Sequence, residues 1–455
     1  MEREILHQLI SWKSKPSRKP LLLEGARQVG KTYTLCAFGK REFPKYHLFD
    51  FEEDRSLAGI FATDLKPDRI ISDLSLKAGQ QINPEKELLI FDEVQKVPSA
   101  ITSLKHIAQH HPTWFVIASG SLLGIGLSEI SFPVGQVERL RMYPMSFYEF
   151  LRGVDQHLLA DRIQAFKFSE LQSEVLHQEA WKQLKYYFIT GGLPEAIKAY
   201  SQQQDNLPDA FRKIRQVQRT ILQDYKDDIA KHSGKLKAVK IDAVFESIPF
   251  QLARENQGVK KFVFKGVLER NSKYSELEAP IQWLERAGLV HKIPICERAA
   301  LPLRAFASEN RFVLYLFDIG ILGAMIELAP ETIVNYNYGT YKRYFAENFV
   351  LQELKPTLNS SLYNWQENTS QIEFVTAYRD SLLALEVKAG VNTKAKSLNV
   401  FENKYKPKAS FLFCGKAYFP PRNNRYVLPL YLSAELEKLL ADIPIVNEAK
   451  GVRPI

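Results

Sequence analysis

The residues best placed to do chemistry are Gly25-Ala26-Arg27-Gln28-Val29-Gly30-Lys31-Thr32. They follow the order glycine, four residues, then Gly-Lys-Thr, the spacing of a phosphate-cradling P-loop. Glycines let backbone N–H groups curl around phosphate oxygens, and a helix starting near Lys31 adds its positive end. Lys31 is expected to reach the β- and γ-phosphates of ATP, and the Thr32 hydroxyl to ligate Mg2+. A second pair, Asp92-Glu93, follows the apolar run Leu88–Phe91. Asp92 would hold Mg2+ through water, and Glu93 would orient and polarise the attacking water. A third apolar run, Trp114–Ala118, ends in Ser119-Gly120-Ser121. A polar side chain there can sense the γ-phosphate; Ser121 is the first choice and Ser119 the alternative. Arg139 and Arg141 follow, as candidates to act on a neighbouring subunit's nucleotide in a homo-oligomer.

Residues in these roles need a scaffold of strands that end side by side. Leu21–Glu24, Tyr46–Phe51, Leu88–Phe91 and Trp114–Ala118 read as short strands separated by amphipathic segments. That alternation predicts a parallel sheet covered by helices, an α/β fold. From Ser146 to Tyr200 the pattern is helical, with a helix over Leu176–Thr190, a stop at Gly191-Gly192 and a restart at Pro194. Asp205 to Lys240 reads as a basic, polar connector. Residues 241–295 then suggest a winged-helix order, with Pro280 in the first turn of a short helix, Gly288 ending it and Leu289–Ile293 extended. Beyond it, Phe312–Phe317 is a predicted strand and Thr340–Leu354 a helix. Strands over Ser361–Trp365, Gln371–Ala377 and Leu382–Lys388 follow, then a helix over Ser397–Lys404 and a strand over Ser410–Cys414.

Composition narrows the classes. The chain has 455 residues, 45% hydrophobic and 25% charged, which suits about three globular domains and excludes global disorder. Cys36, Cys296 and Cys414 are few and far apart, so a disulfide framework is not expected and a reducing cytoplasm fits. The start lacks a signal pattern, and the most apolar run, Phe312–Ala329, is broken by Asp318 and Glu327, so no membrane role is expected. The net charge is +9 and uneven. Residues 211–300 carry 18 Lys/Arg against 11 Asp/Glu, and residues 391–426 carry 8 against one Glu. Two basic regions point to an acidic partner, with nucleic acid the usual one.

Together, residues 23–32, Phe91-Asp-Glu-Val-Gln95, Ser119-Gly-Ser121 and Tyr143-Pro-Met-Ser-Phe-Tyr-Glu-Phe-Leu151 resemble the prokaryotic AAA+-type P-loop ATPases with a C-terminal nuclease-like domain of unknown function. Thr190-Gly-Gly-Leu-Pro-Glu195 and Glu347-Asn-Phe-Val-Leu-Gln-Glu353 fit the same group. The resemblance implies a P-loop NTPase sheet of AAA+/ASCE type over residues 1–150 and a helical lid and connector over 151–235. It further implies a winged-helix-like segment over 236–298 and a PD-(D/E)XK-like α/β domain over 299–455. Members usually carry Gly-Arg shortly before the Tyr-Pro-Met segment; here the pair is Gly135-Gln136, so Arg139 or Arg141 would have to substitute.

The resemblance also gives the C-terminal acids a meaning. Glu347 lies on the predicted helix, Glu373 on one strand, and Glu386 and Lys388 two apart on the next, hence on one side. That resembles the nuclease pattern of acid, acid, Glu-x-Lys, in which the carboxylates bind Mg2+ and the lysine stabilises developing charge. Glu373 departs from the usual aspartate. In the winged-helix-like segment, Glu276, Glu278 and Glu285 oppose docking onto phosphates, while Lys260, Lys261, Lys265, Arg270 and Lys273 favour it. His106, His110 and His111 sit at a helix end stopped by Pro112 and lack a third ligand, so they read as a solvated terminus. The expectation is an Mg2+-dependent ATPase acting on or near DNA. The alternative is a nucleotide-controlled switch that binds a protein partner.

Overall fold

The computed structural model describes residues 1–121, 134–167, 169, 171–253, 261–268, 272–336, 341–422 and 424–442. Lys260, Arg270 and Thr340, invoked above, lie outside them.

The first sheet is parallel throughout. Its strands are β1 (Leu21–Glu24), β2 (Tyr46–Asp50), β3 (Leu88–Asp92), β4 (Phe115–Gly120) and β5 (Glu138–Arg141), in the order β2-β3-β4-β1-β5. β3 is buried along its whole length, as a central parallel strand covered on both faces must be. β4 lies between β1 and β3, so it separates the strand feeding the P-loop from the strand ending in Asp92. Helices Lys31–Glu42, Pro67–Ala78 and Pro98–His110 supply the covering layers.

The expected polar connector is instead two helices, Leu207–Ser233 and Lys235–Ala253. Polar composition masked a buried stripe. Ala210, Phe211, Ile214, Ile221, Tyr225 and Ile229 recur at helical spacing, and all are buried. Pro280 lies inside the helix Tyr274–Ala287 rather than in its first turn, because Leu277 extends the apolar stripe of Ile281 and Leu284 upstream. Gly288 does end that helix, in a left-handed conformation.

The second sheet has eight strands, ordered β12-β13-β11-β10-β9-β8-β6-β7. They are β6 (Val290–Cys296), β7 (Ala307–Leu316), β8 (Tyr363–Glu367), β9 (Ser370–Tyr378), β10 (Ser381–Val387), β11 (Ala409–Cys414), β12 (Phe419–Arg422) and β13 (Arg425–Pro429). β6 pairs with β7 and also, in parallel, with β8. The strand expected as a wing therefore belongs to the terminal sheet, and the expected boundary after residue 298 cuts a continuous structure. Helix Tyr341–Thr357 packs on one face and helix Lys396–Tyr405 on the other.

Candidate functional site

The P-loop joins β1 to the helix Lys31–Glu42, as the motif requires. Two glycines are dictated by position. A Cβ on Gly25 would lie 2.4 Å from the Met142 carbonyl oxygen, and Gly30 has φ +92°. Lys31 is buried beneath the loop. Its Nζ donates to the carbonyl oxygens of Gly25 at 3.1 Å and Ala26 at 2.9 Å. Burial pushes its ammonium down to about 8, opposed by Glu93 and Asp92.

Asp92 organises the facing wall. Its Oδ2 accepts from the Thr32 hydroxyl at 2.5 Å, and its Oδ1 from the Ser119 hydroxyl at 2.5 Å. Asp92 also accepts from the Glu93 backbone N–H at 3.0 Å. The first turn of the helix Lys31–Glu42 and the adjacent ends of β3 and β4 thus bring residues 32, 92 and 119 within contact. Glu93 sits at φ +49°, an uncommon conformation for a side-chain-bearing residue and of the sort concentrated at functional sites. Its carboxyl is pushed up, first by burial. Gln95 Nε2 donates to its Oε2 at 2.5 Å, and the Ser121 hydroxyl lies 3.5 Å from the same oxygen. Of the two serines, Ser119 therefore touches Asp92, whereas Ser121 stands by Glu93.

Other parts of the chain hold the P-loop from outside. Arg3 donates to Val29 O at 2.6 Å and to Tyr143 O at 2.7 Å. Arg27 Nη1 meets Asp228 Oδ1 at 2.7 Å, and Gln28 Nε2 donates to Asp224 Oδ2 at 2.7 Å. The Tyr225 hydroxyl donates to Arg27 O at 3.1 Å. All three partners lie on the helix Leu207–Ser233. Sequence reasoning missed this clamp because its partners are some 200 residues apart. Arg139 and Arg141 are engaged within the chain: Arg139 lies 3.6 Å from Glu24, and Arg141 donates to Glu285 O at 3.2 Å.

The C-terminal acids do converge, and all three are buried. Lys388 Nζ lies 2.5 Å from Glu386 Oε1, as their shared side predicts. The residue that sequence reasoning missed is Arg343, one helical turn before Glu347. Its Nε meets Glu347 Oε1 at 2.7 Å and its Nη2 meets Glu373 Oε1 at 3.1 Å. Tyr315 donates to Glu347 Oε2 at 3.1 Å, and the Val387 N–H to Glu373 Oε2 at 3.1 Å. The i, i+4 spacing of Arg343 and Glu347 was the available signal. Burial, first, and then the neighbouring Glu373 push the Glu386 carboxyl well up, against the pull of Lys388. Three carboxyl groups thus share two cations, Arg343 and Lys388. The resemblance implied Mg2+ here, and this donor set does not fit it: Arg343 and Lys388 take one oxygen of each acid, Tyr315 and the Val387 N–H take the second oxygens of Glu347 and Glu373, and Glu386 Oε2 alone of the six is left without a hydrogen-bond partner among the described residues. Among the described residues no group of three or more His, Cys, Asp or Glu is arranged to hold a metal ion. His111, one of the three histidines read as a solvated terminus, stacks on Trp114 and lies 3.0 Å from Asp68.

In comparison with known families, residues 17–151 match the AAA domain. Residues 181–332 match a domain of unknown function, DUF8612, and residues 344–432 another, DUF4143. Over the first of these matches the chain folds as a parallel α/β sheet with a P-loop. No match was found among curated proteins. Among solved structures, the Aeropyrum pernix ORC1 protein in complex with DNA aligns at 13% identity over 72% of this chain and 93% of that one, with a TM-score of 0.26. Drosophila ORC bound to DNA aligns at 14% identity over 74% and 95%, with a TM-score of 0.26. AMPPCP-bound DnaA from Aquifex aeolicus aligns at 15% over 62% and 86%, with a TM-score of 0.27. Likeness at that level identifies neither a shared whole-chain arrangement nor a shared activity. Among the described residues no helix is long and apolar enough to cross a membrane.

Proposed function

We propose that this protein binds ATP with Mg2+ at the P-loop and hydrolyses it, and that it acts on or near DNA. The observation that carries the reading is the hub at Asp92, whose two oxygens accept from Thr32 and Ser119 with Glu93 beside them. Hydroxyls and a carboxylate suit Mg2+, which demands oxygen ligands and brings phosphates with it. Lys31 supplies a charge that no carboxylate contacts directly among the described residues, since it spends its bonds on two backbone carbonyls. Phosphate oxygens are stronger acceptors for it than those carbonyls. Glu93, its carboxyl raised by burial, is the group to polarise water.

For the terminal domain, strand directions support a PD-(D/E)XK-like reading. β8-β9 and β9-β10 are antiparallel, β10-β11 is parallel, and the acids cluster at the helix Tyr341–Thr357. We read it as a nuclease-like fold without the nuclease's metal, its acids serving as an internal ion-pair cluster. The basic stretches support the DNA association.

The test is the steady-state ATPase rate with Mg2+, titrated with duplex DNA. Lys31→Ala is expected to abolish turnover, and DNA to raise the wild-type rate in a salt-sensitive way. Full turnover in Lys31→Ala would remove the ATPase assignment. A rate indifferent to DNA would remove the coupling to DNA.

A further inference from the structure

The terminal domain also carries an open cleft away from the acids. It has a volume of about 1100 Å3 and lies on the opposite face of the second sheet. Helix Lys396–Tyr405 covers that face over β9 and β10. Beyond the helix, over β11, β13 and β12, the face is concave. Leu412 and Val427 contribute to its floor, and Lys406, Lys416, Phe419 and Asn424 line it.

Two features of this cleft call for a ligand. The first is charge. Its acid, Glu402, is bonded to Arg425, with Nε–Oε1 at 2.9 Å. Lys406 and Lys416 have no carboxylate within 4.0 Å among the described residues, and the surrounding stretch 391–426 carries eight Lys/Arg against one Glu. The second is Phe419, which is 63% exposed on the edge strand β12 although the domain has an ample core. Exposure of a single ring is ordinary by itself; what sets Phe419 apart is its place in a concave cleft that Lys406 and Lys416 also line.

We propose that this cleft binds single-stranded nucleic acid, with Phe419 as the stacking platform and Lys406 and Lys416 on the phosphates. A sheet face with an exposed aromatic ring and cations at its rim suits unpaired bases, whose faces are free to stack. Duplex DNA offers the same phosphates but hides its bases, so it leaves Phe419 unused. An acidic peptide offers charge without a π-face. The proposal names a partner for the DNA-related reading above but stands on the terminal sheet alone. ATP turnover can therefore fail while this holds, and the reverse.

The experiment is fluorescence anisotropy of a fluorescein-labelled twelve-nucleotide oligo-dT with the full chain, across a salt series. We expect Lys406→Glu with Lys416→Glu to weaken binding at least about tenfold and flatten its salt dependence. Phe419→Ala is expected to weaken it about fivefold to a hundredfold, the effect of losing one stacked base. Phe419→Trp should preserve affinity, and its indole fluorescence should be quenched on binding. Lys31→Ala should bind as wild type does. Circular dichroism of each variant checks the fold, and the exposed position of Phe419 makes both substitutions there tolerable. Three results would overturn the proposal: wild-type affinity in both the lysine and alanine variants; duplex competing equally while Phe419→Ala does nothing, which means phosphate docking; or poly-glutamate competing equally, which means an acidic protein surface.

Discussion

Two buried groups of acids lie near strand ends in this molecule, and their partners differ in kind. In the N-terminal unit, Asp92 accepts from neutral hydroxyls, Thr32 and Ser119, and the nearby cation Lys31 rests on backbone carbonyls. In the terminal domain, Glu347, Glu373 and Glu386 are met directly by Arg343 and Lys388. Opposite charges in contact cancel each other's field. The first arrangement keeps a carboxylate and an ammonium separately available to a charged ligand; the second has already spent both. Burial alone does not distinguish a reactive site from a structural one, whereas the charge state of the bonding partners does.

The largest expected effect breaks the first group. Glu93→Gln keeps the side chain's shape and removes its ability to take a proton. ATP turnover should fall about a hundredfold to ten-thousandfold while nucleotide binding persists. Single-turnover hydrolysis and a fluorescent-nucleotide titration measure the two separately. Unchanged turnover would mean that Glu93 only orders the loop. Glu386→Gln, made in the other group, should leave turnover unaltered.

The second group breaks through stability. Arg343→Met strips Glu347 and Glu373 of their shared cation and leaves buried charge uncompensated. Losses of this kind run about 3 kcal/mol, here reduced because the arginine is half-exposed. Denaturant unfolding should register it. The variant also sharpens the comparison: without nucleotide, wild-type stability should be indifferent to Mg2+, while the freed carboxylates of Arg343→Met should gain stability from it. Mg2+ stabilising the wild type but not Arg343→Met would reverse our reading of the acids.

Much of this contrast was legible in the sequence, but unevenly. The P-loop, Asp92 and Glu93 were readable because a local motif encodes them and short apolar runs position them. The convergence of Glu347, Glu373, Glu386 and Lys388 was readable through the resemblance and the two-residue strand period. What those acids are bonded to was not. Arg343 is one more basic residue on a helix until the fold lays that helix against β9. The helix Leu207–Ser233 escaped notice because Arg215 and Gln218 stand on its buried stripe, spending their side chains on the Gly320, Leu328, Ile189 and Thr190 carbonyls. Buried polar residues with distant backbone partners look like surface in one dimension.

The middle of the same helix packs on a seam whose titration has the opposite sign from that of the P-loop. Asp318 is fully buried and accepts from the Gly192 N–H at 2.6 Å and the Ile321 N–H at 3.0 Å. Burial nonetheless pushes its carboxyl up to about 6 from 3.8. The folded chain then holds a proton that the unfolded chain has released. This stabilising contribution is complete below pH 3.8 and lost as pH rises through 6, worth at most about 3 kcal/mol. Lys31, lowered to about 8 from 10.5, does the reverse: stability is gained as pH climbs from 8 to 10.5. Unfolding followed across pH should show both limbs. Asp318→Asn should flatten only the acid limb and Lys31→Met only the alkaline one, and either substitution flattening both limbs would show that the two sites titrate together.

The smallest effect concerns the clamp on the P-loop. Asp224, Tyr225 and Asp228 hold Arg27 and Gln28 from one face of the helix Leu207–Ser233. Glu52 adds a second carboxylate to Arg27 at 3.1 Å and also meets Lys96 at 2.9 Å, two residues after the Glu93–Val94 turn. The clamp therefore spans both walls of the phosphate site. Partly exposed pairs of this kind contribute about 1 kcal/mol. If they preorganise the loop, Asp224→Ala with Asp228→Ala should raise the KM for ATP about fivefold and leave kcat nearly unchanged. The matching change in the terminal cluster, Glu373→Gln, should move neither. A lowered KM would mean instead that the helix competes with nucleotide for Arg27. The hydroxyl-bonded site would then be held shut by acids of its own chain, as the terminal cluster is by its cations, and the difference between the two regions would narrow to one removable contact.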